Sequence, residues 1–126
     1  MQRVNISTGT PWEQVVGYSR AVRVGDHVYV SGTTASDEHG NVIGVGDVAA
    51  QSRYIFEKIE KALKSAGAAL TDVVRVRMFV TDISQWEAIG RVHGEIFGAI
   101  RPVSTMVEIS KLVDPQHLIE IEVDAH

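Results

Sequence analysis

The chain has no cysteine, and that absence removes disulfides, thiolate catalysis and cysteine-ligated zinc or iron sites together. No segment approaches the roughly 20 apolar residues that span a bilayer, and the N-terminal stretch MQRVNISTGTPW has no apolar core of signal-peptide length. A cytoplasmic protein with no membrane partner is therefore expected. Basic residues are in the minority: 12 Lys and Arg stand against 16 Asp and Glu, for a formal net charge of −4. This is the wrong sign for affinity drawn from releasing phosphate counterions, so nucleic acid is a poor fit as a partner. Internal repeats and low-complexity tracts are absent too. The five histidines, His27, His39, His93, His117 and His126, form no H-x-x-x-H or H-x-H pair, and no metal site is expected.

What is present is an ordinary globular composition, 44% hydrophobic and 22% charged over 126 residues. A single domain, residues 1–126, is expected to bury roughly two-thirds of its unfolded surface. Between Ser19 and Gly32, two β-rich runs flank Gly25-Asp26, a strong two-residue hairpin signal. In the second run His27, Tyr29 and Ser31 face one side, Val28 and Val30 the other. DEHGNVIG reads as a turn and a short return strand. From Val48 to about Ala66, the residues Ile55, Ile59, Ala62, Leu63 and Ala66 recur at spacings of three and four, which aligns them on one helical face. Asp47 is placed to cap that helix at its start and Gly67 to follow its end.

The next run, DVVRVRMFV, alternates Val74, Val76, Met78 and Val80 with Arg75, Arg77 and Phe79, the pattern of a half-buried strand. Ser84 to Glu87 matches a capping box, and the helix it opens aligns Trp86, Ile89, His93, Ile96 and Phe97 before Gly98. PVSTMVEIS and LIEIEVDA read as two further strands. The order β-β-(β)-α-β-α-β-β predicts an α+β domain with both helices on one face of a single sheet. Its other face would carry Tyr29, Phe79 and Met106, apolar for a solvated surface, so subunits are expected to pack sheet to sheet or edge to edge in a closed oligomer.

Several patterns carry chemistry only weakly. Gly44-Val45-Gly46-Asp47-Val48-Ala49 has the spacing of a dinucleotide fingerprint, but Asp47 places a negative charge where pyrophosphate would sit, and a flexible turn is the better reading. His93-Gly94-Glu95 has the H-x-E of zinc deaminases without their cysteines. His93 itself lies on an apolar helix stripe, where a core or interface histidine is commoner than a base. Arg75 and Arg77 share a strand face about 6.5 to 7 Å apart, close enough for a basic ligand site, though ion pairing with acidic neighbours explains them as well. Glu120 and Glu122 share a face at a similar spacing, with Glu108 a candidate third carboxylate, an arrangement able in principle to do acid–base work around one water, but any solvated edge strand shows the same spacing and that is the better reading of the residues alone.

The blocks YSRAVRVGDHVYVSG, AQSRYIFEKIEKALKSAGAALTDVVRVRMFVTDISQWEAI and RPVSTMVEISKL…LIEIEVDA resemble, in order and separation from about Tyr18 to Ala125, the reactive-intermediate deaminase family, also called Rid or YjgF/YER057c/UK114. The resemblance implies a chorismate-mutase-like α+β fold, a mixed sheet with two helices on one face, and a homotrimer whose sheets form a central barrel with a ligand cleft at each subunit interface. It implies hydrolysis of imines and enamines such as 2-aminoacrylate to 2-keto acids and ammonia, with no cofactor. By the same resemblance Tyr18 is the cleft tyrosine, Ser31-Gly32 the Ser-Gly after the second strand, and Glu120 the glutamate that positions the attacking water, with Glu122 its structural neighbour.

Two positions depart from that pattern. Ser104 stands where deaminating members carry an arginine that forks onto the substrate carboxylate, and Gly90 where they often carry an asparagine. A lost charged hydrogen bond costs about 1.5–3 kcal/mol, roughly 10- to 100-fold in binding. Arg101 is a poor replacement, because it precedes Pro102 and its odd offset from Ser104 directs it to the opposite sheet face in a regular strand. Of Ser104 and Thr105, the resemblance gives Ser104 the better claim to the cleft. The leading expectation is a trimer that hydrolyses an imine or enamine recognised without the usual arginine. A non-catalytic ligand-binding or regulatory trimer is the second reading, and the family's older description as an endoribonuclease and translation inhibitor is the third.

Overall fold

The computed structural model of the protein describes residues 2–126, so only the first residue of the N-terminal stretch lies outside it. In chain order the elements are β1 (Arg3–Ile6), α1 (Pro11–Val16), β2 (Ala21–Val24), β3 (His27–Thr33), α2 (Val48–Ser65), β4 (Val73–Val80), α3 (Trp86–Phe97), β5 (Val103–Glu108) and β6 (Ile119–Ala125). The six strands form one mixed sheet in the order β1-β2-β3-β6-β4-β5. Only β4 and β5 run parallel, joined by the crossover helix that a parallel pair requires. Gly25, at φ +57°, closes the β2–β3 hairpin at the expected Gly-Asp loop.

Alternation decides which face is buried. Val28 and Val30 of β3, Val76, Met78 and Val80 of β4, and Ile119, Ile121 and Val123 of β6 all point to the helix side and are buried. They pack under Ile55, Phe56, Ile59 and Leu63 of α2 and Ile89, Val92 and Phe97 of α3, so both long helices cover one face. The Asp47 carboxylate accepts from the Ala50 amide at 3.0 Å, and Gly67 follows the helix at φ +79°, the start and stop expected for α2. Among the described residues no helix is long and apolar enough to cross a membrane.

Several local expectations fail for identifiable reasons. DEHGNVIG forms one isolated bridge, Ser36 to Val42, because the Asp37 carboxylate captures the amides of His39 and Asn41 in a turn instead. A bulge between Val73 and Arg75 turns Val74 outward, 48% exposed, and buries Val73 in its place. Ser84 does not cap α3: Asp82 accepts from the Ser84 amide and opens a 3-10 turn, Ile83–Gln85, and Trp86 is left 60% exposed. The unread N-terminal stretch supplies β1 and α1.

Strand β5 departs from two further expectations. Its parallel register pairs Met106 with Met78 and Glu108 with Val80, so both lie on the helix side. Met106 therefore packs against the core, not on the open face, and the Glu108 carboxylate accepts from the Ile83 amide at 3.0 Å, away from Glu120 and Glu122. The open face carries Tyr29, Phe79, Val103 and Val107 around a charged strip. There Arg75 lies 3.7 Å from Asp124, and Arg77 lies 3.4 Å from Glu122 and 3.5 Å from Asp124, the ion pairing that their spacing allowed.

Candidate functional site

The register between β3 and β6 shifts: Val30 pairs with Val123 but Thr33 with Ile121, leaving one extra residue on β3 in a bulge at Ser31-Gly32. Ile119 and Ile121 point into the core, so Glu120 between them projects from the open face directly over that bulge. A Cβ placed on Gly32 would lie 2.8 Å from Glu120 Oε2 and 2.9 Å from Cδ. Glycine here is a space requirement, since only its missing side chain leaves room for the carboxylate. Glu120 is half-buried. That burial raises its pKa, the Arg20 cation opposes the rise, and neighbouring Glu122 adds to it.

Arg20 is the residue around which the site assembles. It immediately precedes β2, and its Nη2 donates to Ser31 Oγ and, at 2.6 Å, to the Gly32 carbonyl. Its Cζ lies 5.9 Å from the centre of the Tyr18 ring, within cation–π range. The Nε–H is buried with no hydrogen-bond partner. Burial pushes the guanidinium pKa down, while Tyr18, Glu13 and Glu120 hold it up, so it stays charged. Ser31 Oγ is in turn 3.1 Å from the Ser19 carbonyl. Tyr18, Ser31, Gly32 and Glu120 thus converge on a cation that the sequence reading did not single out.

Two buried supports fix this group. The Glu13 carboxylate accepts from the hydroxyls of Thr8, Ser7 and Thr10 at 2.6, 2.8 and 2.9 Å. Burial alone would raise its pKa, but these bonds prevail and hold it at about 2. The Glu13 carbonyl accepts from the amides of Gly17 and Tyr18, each at 3.0 Å, with Gly17 at φ +87°, so the same residue shapes the turn that presents Tyr18. From α2, Lys58 Nζ donates to the carbonyls of Thr34 and Ser36 at 2.7 and 2.8 Å. Burial, with the Arg20 charge, pushes Lys58 down to about 8 against a weaker pull from Asp37. Ser36 Oγ lies 2.8 Å from His117 Nε2, which ties the loop after β3 to the approach to β6.

The other expected residues are elsewhere. His93 lies in the helix layer across the sheet from Glu120, its ring centre 4.9 Å from that of Phe97, with Nε2 buried and unpartnered and its pKa lowered by burial. Arg101 takes φ +55° in the turn before β5, and its Nε donates to the Gly98 carbonyl at 3.1 Å. Ser104 is exposed, pairs with Val76 and faces the helix side of the edge strand. Thr105 pairs with Arg77 and shares the open face with Glu120. Within one chain, therefore, Ser104 is not brought to Glu120. Gly90 is exposed on α3, and a Cβ there would meet nothing within 4 Å. Among the described residues, no three His, Asp or Glu side chains converge to hold a metal ion. The chemistry available is that of a carboxylate with an elevated pKa beside a fixed cation: it can orient a water molecule and accept its proton.

Residues 10–126 match the family model described as Endoribonuclease L-PSP. The 3-aminoacrylate deaminase RutC of Acinetobacter baylyi is 38% identical over 125 residues, which cover 99% of this chain and 98% of that one. A RutC family protein of Pyrococcus abyssi is 35% identical over 109 residues, 86% and 85% of the two chains. Among solved structures, Rv2704 of Mycobacterium tuberculosis, a member of the YjgF/YER057c/UK114 family, matches with a TM-score of 0.90 and 50% identity over 99% of each chain.

Proposed function

The chain belongs to the endoribonuclease L-PSP family, the Rid or YjgF/YER057c/UK114 proteins, and we propose that it hydrolyses an imine or enamine to a carbonyl compound and ammonia, with Glu120 as the base. The observation that carries this reading is the seat of Glu120: a half-buried carboxylate of raised pKa, lodged over Gly32 and beside Arg20. An enamine is first protonated on carbon to its iminium form. Water then adds to the C=N carbon as Glu120 takes its proton. The resulting carbinolamine collapses as Glu120 returns that proton to nitrogen: the C–N bond breaks to release ammonia, and the hydroxyl gives up its proton to solvent as the C=O bond forms. The atoms balance without a cofactor. The relative named for 3-aminoacrylate deamination supports the reaction class.

The cleft is completed by a second copy of the chain. Ser104 sits on the edge strand, on the face opposite Glu120, so it reaches a Glu120 only across a subunit interface. A homotrimer, with Tyr29, Phe79, Val103 and Val107 of the open face buried inside it, meets this need and covers the apolar positions.

The test generates imines with an amino-acid oxidase and follows semicarbazone formation with and without protein. Wild type should compete with the trap, Glu120→Gln should lose about 100-fold or more, and the acid limb of the rate should lie above the ordinary carboxylate pKa. If neither anionic nor neutral imines are hydrolysed faster with protein, the enzymatic reading is wrong. Ser104, at the position where the family resemblance implies an arginine, favours a second reading: an assembly that binds the ligand without turnover. Ligand-dependent thermal stabilisation with no imine hydrolysis would select it.

A further inference from the structure

We propose that Arg20 is the anion anchor of this cleft, so that the ligand carries a carboxylate held from the β2–β3 side of the site. This rests on the small-molecule reading above and deepens it. The arginines are compensated unequally. Arg53, Arg75, Arg77 and Arg91 each lie within ion-pair distance of a carboxylate on the exposed surface. Arg3, Arg23 and Arg101 bond only to neutral oxygens, and Arg20 likewise forms no ion pair among the described residues, but Arg20 alone of these has a buried donor left unpartnered. Its Nη2 bonds are to a hydroxyl and a carbonyl, both neutral, and its Nε–H has no partner at all.

Charges drawn even partly out of water are normally paired, and a buried, orphaned donor on such a cation is costly. Glu120 and Glu13 act on Arg20 only through space, and Glu13 has already committed its oxygens to three hydroxyls. The second cation nearby, Lys58, is likewise held by carbonyl oxygens. Arg20 adds positive potential beside Glu120, and Lys58 adds its charge beside Arg20. A ligand carboxylate supplies the missing counter-charge, and Tyr18, within cation–π range of the guanidinium, forms the adjoining wall. Serine at position 104 then ceases to be a defect, because the cation comes from another strand.

Propionate and propionamide, matched in shape and different in charge, probe this directly when titrated into the intact assembly with amide NMR as the readout. Wild type should bind propionate, with shifts centred on Ser31 and Gly32, and propionamide at least about tenfold more weakly. Arg20→Gln should abolish the difference, and Arg20→Lys should keep part of it. Equal binding of the two probes by wild type, or propionate shifts away from Ser31 and Gly32, would overturn the proposal, and this comparison needs no variant to fold. Propionate binding at Arg20 without turnover of any imine supports the anchor while removing the hydrolase. Turnover with the same KM for anionic and neutral imines, and no propionate binding, removes the anchor and leaves the hydrolase.

Discussion

Replacing Gly32 with alanine places a methyl group where the Glu120 carboxylate now rests. The backbone tolerates the change, since Gly32 is not among the glycines held at positive φ. The new Cβ would stand 2.8 Å from Oε2, and ordinary contact begins at 3.4 Å, so the carboxylate must retreat by about 0.6 Å. Misplacing a reacting group by about 1 Å costs on the order of 100-fold, so kcat should fall between about 10- and 100-fold, a barrier rise of about 1.4–2.7 kcal/mol. Stability should change little, within about 0.5 kcal/mol, because the atoms displaced are the end of a flexible side chain. Semicarbazone trapping gives the rate, and thermal melts by circular dichroism give the stability. If Gly32→Ala melts like wild type and keeps the wild-type kcat, the position of the Glu120 carboxylate does not limit the reaction.

Glu13→Gln should destabilise the fold in a pH-dependent way. The folded pKa of about 2 lies below the ordinary 4.5, so ionised Glu13 contributes up to about 3 kcal/mol above pH 4.5, and this is lost as pH falls towards 2. Urea denaturation of both proteins across that range should show a gap that closes on acidification; a constant gap would mean that the hydroxyl cluster does not depend on charge. Asp47→Ala should cost about 1 kcal/mol through loss of the α2 cap, read from the same denaturation curves at pH 7, and a change within error would show that the cap is redundant.

Much of this was legible because it depended on local periodicity. Hydrophobic spacing placed α2, its cap and its buried stripe, and alternation placed β6 with Glu120 outward. The errors arose where a long-range register decided the outcome. Met106 and Glu108 read as open-face residues in isolation because their strand alone says nothing about which side faces the helices; only pairing with β4 fixes that. Val74 was misassigned by a bulge that alternation cannot reveal. Arg20, by contrast, was within reach. The Gly25-Asp26 hairpin pairs Ala21 with Val30, and one step further along the same register sets Arg20 opposite Ser31. Arg20 also lies two residues from Tyr18. Its position gives no direct signal, because a cation before a strand usually faces solvent.

Position 104 and Arg20 acquire meaning together. On the proposed trimer reading, an arginine at position 104 would project from the edge strand towards a Glu120 of another subunit, whereas Arg20 belongs to the same chain as the Glu120 it adjoins. On the proposed reading the cleft keeps its positive charge but receives it from the opposite wall. A substrate carboxylate held by Arg20 lies on the Ser31-Gly32 side, so its C=N carbon must extend away from β3 to meet water over Glu120. The space next to Ser104 is then free of both charge and bulk, and it would accommodate the ligand's side chain. Substrates larger than the imine of alanine should therefore gain in kcat/KM as they fill that wall, and restoring Ser104→Arg should penalise them while leaving the smallest imine little changed. Uniform loss across all chain lengths would mean that the ligand's side chain does not reach Ser104.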